Sequence, residues 1–140
     1  RAAQLFAKAV EADPKDYAAR FHLALAESLL GKDTEAITSY KKVLELKPGL
    51  YEAELNLGIV LLRQKQARDA VPYLESAAQK KPKELRPHLY LAQALFETGD
   101  FPRAQQSYQA AAEADPTSAA AQLGLAQALA RRGIDPSRGH

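Results

Sequence analysis

The chain has 140 residues, 46% of them hydrophobic, a formal charge of +2 and no cysteine. That length suits one compact domain or a short array, and the small dispersed charge lacks the concentrated basic character of a dedicated nucleic-acid binder. Absence of cysteine excludes a disulfide framework, a thiolate metal site and a cysteine nucleophile, and it leaves the compartment undefined.

No apolar run approaches the roughly 20 residues of a membrane span, so no membrane insertion is expected. There is no signal-peptide pattern, no methionine, and the chain opens at Arg1 inside a helical pattern. It therefore reads as a piece of a longer protein.

The first predicted element, over 1–13, is a helix with Ala2, Phe6 and Ala9 on one face at i, i+4 and i+7. Asp13-Pro14 ends it, because proline disfavours helix in the residue before it. Asp16 is placed to cap the next helix, expected over about 17–30 with Phe21, Leu23, Leu25, Leu29 and Leu30 as apolar surface. Gly31 offers a left-handed stop, and Asp33 a cap for a helix over roughly 34–47.

The following stretch, 51–84, repeats this order with two departures. Lys65 stands where the turn glycine would be, and Pro72 lies inside the second helical pattern. With Asp69 as cap, Pro72 falls in a first turn and loses no amide bond; an earlier start predicts a bend. In 85–118 the pattern is most regular, with Gly99-Asp100 as the turn and Pro102 and Pro87 in first-turn positions. A last helix over 118–132 takes Thr117 or Ser118 as cap, and 133–140 has turn composition expected of a flexible tail.

Pro14, Pro48, Pro82 and Pro116 recur every 34 residues. A constant period means one supersecondary unit reused, each copy burying its apolar face on its neighbours. Within the period, Leu23-Ala24, Leu57-Gly58, Leu91-Ala92 and Leu125-Ala126 fill the seventh and eighth places. The twentieth holds Ala2, Ala36, Ala70 and Ala104; the twenty-fourth Phe6, Tyr40, Leu74 and Tyr108; the twenty-seventh Ala9, Val43, Ala77 and Ala111.

This large–small–small–large–small order resembles the tetratricopeptide repeat family over all but the last few residues. The resemblance implies an all-α fold, a right-handed α-solenoid of antiparallel helix pairs with about eight helices. It divides the chain into the second helix of a truncated repeat (1–14), three repeats (17–50, 51–84, 85–118), a partial repeat's helix (119–132) and the tail. Two places depart from the family: the eleventh is Glu27 in the first repeat, and the fourth, often a large aromatic, is Arg20, Glu54, His88 and Gln122. Arg20 and Glu27 lie two turns apart on one face and are expected either to pair or to mark a partly covered face.

The resemblance also implies a concave surface lined by the first helix of each repeat and used to hold a partner's peptide or helix. Its lining places give Phe21, Leu25, Leu55, Asn56, Ile59, Leu62, Arg63, Arg86, Leu89, Tyr90, Gln93 and Phe96. Helical spacing puts the fifth, ninth and twelfth places on one stripe, apolar in the first two repeats and mixed further on. Phe21 and Leu55 fit groove and core equally; Ile59, Leu62 and Phe96 favour the groove. The family's carboxylate clamp for chaperone tails would need basic or amide side chains at Phe21, Leu25, Asn56, Arg86 and Tyr90. Only Asn56 and Arg86 comply, which rejects that clamp.

No catalytic group, cofactor motif or metal spacing stands out. His22, His88 and His140 lie far apart in sequence, no glycine-rich phosphate loop is present, and Lys80, Lys81 and Lys83 mark a solvated helix end. The expected function is thus a non-catalytic scaffold for a protein or peptide segment, with no nucleic acid. One alternative is a self-assembling structural segment forming homo-oligomers; another is the recognition arm of a larger enzyme. A pentatricopeptide-like RNA binder fits less well, given the apolar stripe, the small charge and the period.

Overall fold

The structure, a computed structural model, describes residues 1–133. Eight helices and no strand occur among them: α1 (Ala2–Ala12), α2 (Tyr17–Leu29), α3 (Asp33–Leu46), α4 (Tyr51–Arg63), α5 (Ala67–Lys80), α6 (Leu85–Glu97), α7 (Phe101–Ala114) and α8 (Ala119–Gly133). The predicted tail beyond Gly133 lies outside the described residues. The chain divides into two compact units, Arg1–Lys65 and Gln66–His140, with α1 to α4 in the first and α5 to α8 in the second.

The helix ends follow local chemistry. Asp13, Lys47, Lys81 and Asp115 each donate their amide to the carbonyl four residues back, closing α1, α3, α5 and α7. Each is followed by a proline, which has no amide to continue the ladder. Asp16 Oδ1 accepts the Ala19 amide at 3.1 Å, Asp100 Oδ1 that of Arg103 at 3.3 Å, and Ser118 Oγ that of Ala121 at 3.1 Å. Of the two candidates for α8, Ser118 is therefore the cap, while Thr117 bonds back to Asp115.

Two expected caps are not used. α3 starts at Asp33 itself, whose carboxylate is drawn away to α4, and α5 starts at Ala67, before Asp69. Pro72 consequently lies beyond the first turn and inside the helix, where the Arg68 carbonyl lacks the amide that would normally bond it.

The turns at Gly31, Lys65 and Gly99 share a left-handed backbone, with φ of 77°, 63° and 87°. Lys65 accepts the steric cost that glycine avoids. Lys65→Gly is expected to raise stability by up to about 1 kcal/mol, the relief of that strain less glycine's added unfolded-state entropy. An unchanged or lower denaturation midpoint would contradict it.

In the first unit, Val10, Ala19 and Leu23 form a small core between α1 and α2, joined by Ala3, Phe6 and Ala7. On the face that the spacing joins, Phe6 is half-buried, whereas Ala2 and Ala9 are exposed. Their equivalents by period, Ala36 and Val43, are fully buried in α3, which has α2 packed before it. The Phe6 ring stacks on His22 at 5.2 Å.

Between α2, α3 and α4 sits Tyr40, 1% exposed, with the Phe21 ring edge-on at 5.8 Å. Burial pushes its hydroxyl pKa up to about 12, opposed by a hydrogen bond with the Asn56 side chain. Glu27 accepts Ser39 Oγ at 2.7 Å, and Arg20 keeps a buried Nε without a hydrogen-bond partner. Of the two alternatives for Arg20 and Glu27, the pair is not formed, and Glu27 is instead bonded from α3.

The second unit packs α6 on α5 and α7, and α8 on α7. Small residues make the close approach: Ala92, Ala104, Ala111, Ala121 and Ala128 are all fully buried. Tyr108 lies against Gly124 of α8, where an added Cβ would meet the ring at 2.1 Å. Burial also raises the Tyr108 hydroxyl pKa.

Candidate functional site

The expected lining residues fall into two sets, one on each unit. In the first unit, α2 exposes Leu25 at 36% and Leu29 at 80%, its C-cap Leu30 is exposed at 59%, and Ile59 and Leu62 of α4 are half-buried. Scattered exposed leucines are ordinary, but Leu25 and Leu29 are one turn apart on one helix face. Leu55 is only 4% exposed and presents almost no surface. Phe21 is half-buried against Tyr40, and Asn56 is occupied with the same tyrosine.

Arg63 sits at the end of this stripe in a network that sequence reading missed. Its Nε donates to Asp33 Oδ2 at 3.0 Å; its Nη2 donates to Asp33 Oδ1 at 2.7 Å and to Ser28 Oγ at 2.9 Å. Gln64 Nε2 adds a bond to Asp33 Oδ2 at 2.8 Å. The bidentate guanidinium holds the Asp33 carboxyl below the ordinary value of 3.8, and the pair ties the start of α3 to the end of α4. Nothing local marks it, because the partners are 30 residues apart.

The two members differ in burial, Asp33 being 8% exposed and the Arg63 side chain 46%. Removing Arg63 leaves a buried carboxylate with the Gln64 bond alone, whereas removing Asp33 frees a cation that water can solvate. Arg63→Ala should therefore cost about 1–3 kcal/mol and Asp33→Asn less, as measured by denaturation. Because the folded Asp33 pKa is depressed, the pair's contribution is full above the unfolded value and is lost as pH falls through the folded one. Equal losses for both variants, or no acid dependence of the difference, would contradict the assignment.

At the opposite end of α2 and α4, Tyr17, Ala18, Phe21, His22, Leu50 and Glu52 line a shallow hollow of about 180 Å³. Lys47 Nζ lies 5.8 Å from the centre of the Tyr17 ring.

In the second unit, Leu89, Tyr90, Gln93 and Phe96 of α6 are half-buried and Arg86 is exposed. Phe96 meets Phe101 edge-on at 5.1 Å, and the Arg131 guanidinium lies 4.7 Å from the Phe101 centroid and 5.7 Å from that of Phe96. Cation and rings attract through the ring quadrupole, so this aromatic pair is already covered on one side. Leu123 of α8 is exposed at 61%. A separate hollow of about 380 Å³ lies among α5, α6 and α7, floored by Leu91 and His88, whose Nε2 donates to the Pro82 carbonyl at 2.6 Å. Among the described residues no group of three or more His, Asp or Glu could hold a metal ion, and no helix is long and apolar enough to cross a membrane.

Eight helices joined by short connections, with small residues at fixed intervals in the core, define an all-α helical repeat solenoid. Two family models, each described as tetratricopeptide repeat, match residues 1–51 and 61–127, and the chain belongs to that family. No curated protein matched the chain.

Among solved structures, MamA from Desulfovibrio magneticus RS-1 superposes with a TM-score of 0.89 at 24% identity, covering 96% of this chain and 76% of that one. YrrB, described as a tetratricopeptide protein with an unusual peptide-binding site, gives 0.88 at 22% identity, with 94% and 68% covered. The Sgt2 tetratricopeptide domain from Aspergillus fumigatus gives 0.74 at 22%, with 89% and 83% covered. Identities this low establish the shared fold alone.

Proposed function

We propose that the protein is a non-catalytic interaction module that docks a peptide or helix of a partner protein on the apolar face of α2 and α4. The observation carrying this reading is the row of Leu25, Leu29, Ile59 and Leu62, accessible on two neighbouring helices of a repeat fold. Aliphatic ridges of this kind suit the side chains of a helix or extended segment. Family membership supports the reading in kind, and so does YrrB, a similar structure described as having an unusual peptide-binding site.

The experiment is a peptide-display selection against the chain, repeated with Leu25→Lys and with Leu62→Lys. Leu55 is unsuitable for this purpose, since a lysine at a buried place would test folding instead. One peptide class enriched on the parent and absent from both variants supports the site. Enrichment that survives both charges, or none on the parent, rejects it.

A second reading, self-association, draws on Leu5 of α1 and on Leu123 and Leu129 of α8, all large apolar residues left exposed. A monomeric mass by light scattering across a wide concentration range would reject it.

A further inference from the structure

The two helices of the docking face, α2 and α4, are not consecutive in the chain, so their spacing is set by what joins them. Both rest on Tyr40 of α3, with the Phe21 ring edge-on at 5.8 Å and the Asn56 side chain bonded to the hydroxyl. At one end of the face the tie is direct, because Arg63 Nη2 donates to Ser28 Oγ at 2.9 Å. Ser28 lies one turn beyond Leu25 and adjoins Leu29; Arg63 lies one turn beyond Ile59 and adjoins Leu62. Glu27, next to Ser28, accepts Ser39 Oγ at 2.7 Å and ties α2 to α3 as well.

We infer that Arg63 is a positioning residue of this face: its guanidinium, clamped by Asp33, holds α4 to α2 through Ser28 and keeps the two aliphatic rows at one spacing. This rests on the docking reading above and assigns how the face is kept in shape. Asp33 takes Nε and Nη2 at 3.0 and 2.7 Å and balances the charge, so Arg63 is committed to the chain itself. A planar fork fixed by one partner reaches a second with little further loss of side-chain freedom. A docked segment binds only those molecules whose rows are correctly spaced, so a tie that raises their fraction tightens docking without touching the partner. The gain is bounded by the worth of the tie itself, about fivefold for one hydrogen bond.

The test uses the whole chain and three dye-labelled probes, each a short leucine–alanine peptide. One ends in a pair of glutamates, one in a pair of lysines and one in a pair of glutamines. Ser28→Ala removes the tie and leaves the Asp33 pair in place. By fluorescence anisotropy, at a temperature where circular dichroism shows every variant folded, it should weaken all three probes by the same factor, about three- to fivefold. Ser28→Thr keeps the hydroxyl and should bind as the parent does.

The double variant Arg63→Gln with Asp33→Asn removes the cation without stranding the buried carboxylate, and the net charge is unchanged. It should weaken all three probes at least as much as Ser28→Ala does. A loss confined to the glutamate probe in the double variant makes Arg63 a direct contact, and unchanged affinity in both variants makes the network a matter of stability alone. Either result overturns the inference, while loss of all three probes on Leu62→Lys would still uphold docking. If no probe binds the parent, the inference falls, and the display selection above still decides docking.

Discussion

Tyr40→Ala is expected to destabilise the chain by about 3–5 kcal/mol, through lost transfer energy and the cavity left behind. The ring is 1% exposed where α2, α3 and α4 meet, and it is the largest of the fully buried side chains. Its neighbours give little chance of collapse into the space, because Phe21 is already held edge-on and Asn56 already turns to the hydroxyl. Tyr40→Phe separates ring from hydroxyl. It should cost only about 1 kcal/mol, the net value of one hydrogen bond. Urea unfolding of both variants checks the pair, and an alanine variant with an unchanged midpoint would refute the core assignment.

Gly124→Ala runs against helix propensity and is expected to destabilise. In an ordinary helix interior alanine is better than glycine by about 1 kcal/mol. At this place the new Cβ would lie 2.1 Å from Cε1, 2.4 Å from Cζ and 2.5 Å from Cδ1 of Tyr108, so α8 or the ring must move. Overpacking of this kind costs about 1–3 kcal/mol and outweighs the propensity gain. The coupling can be isolated: with Tyr108→Leu in the background, the penalty should fall, and a double-mutant cycle reads the difference. A stabilised Gly124→Ala variant would show that α8 does not pack on Tyr108 as described.

These two sites show what the sequence made legible. Tyr40 follows from the period, since a large residue recurs at that place as Phe6, Leu74 and Tyr108. Gly124 does not, because its equivalents by period are His22, Asn56 and Tyr90, none of them small. Pattern reports what repeats, and Gly124 answers a single contact. Local chemistry was the most readable: Asp16 and Ser118 cap the helices they precede, and the prolines stop the helices before them.

Where a competing partner existed, local reasoning failed. Asp33 has the right identity and place for a cap, yet a bidentate guanidinium from α4 outweighs one backbone amide. Glu27 likewise has its partner, Ser39, on another helix, 12 residues away.

The apolar character of the stripe was readable in composition, whereas the exposure of each member was not. Leu25 and Leu55 occupy neighbouring places of the pattern, yet one is 36% exposed and the other 4%. Asn56 was placed on the face by position, and Phe21 fitted face and core equally; both turn out to serve Tyr40. Arg63 was placed on the face by the family pattern, but its neighbours Ser28 and Asp33 come from elements far away in sequence.

Docking on α2 and α4 is tested most directly by amide chemical-shift mapping of the isotope-labelled chain with a display-selected peptide. The account predicts saturable shifts centred on Leu25, Leu29, Ile59, Leu62 and Arg63, with little change in α1 and in the outer residues of α3. Saturable shifts confined to α1, α3 or the second unit, with those five amides unmoved, would contradict it.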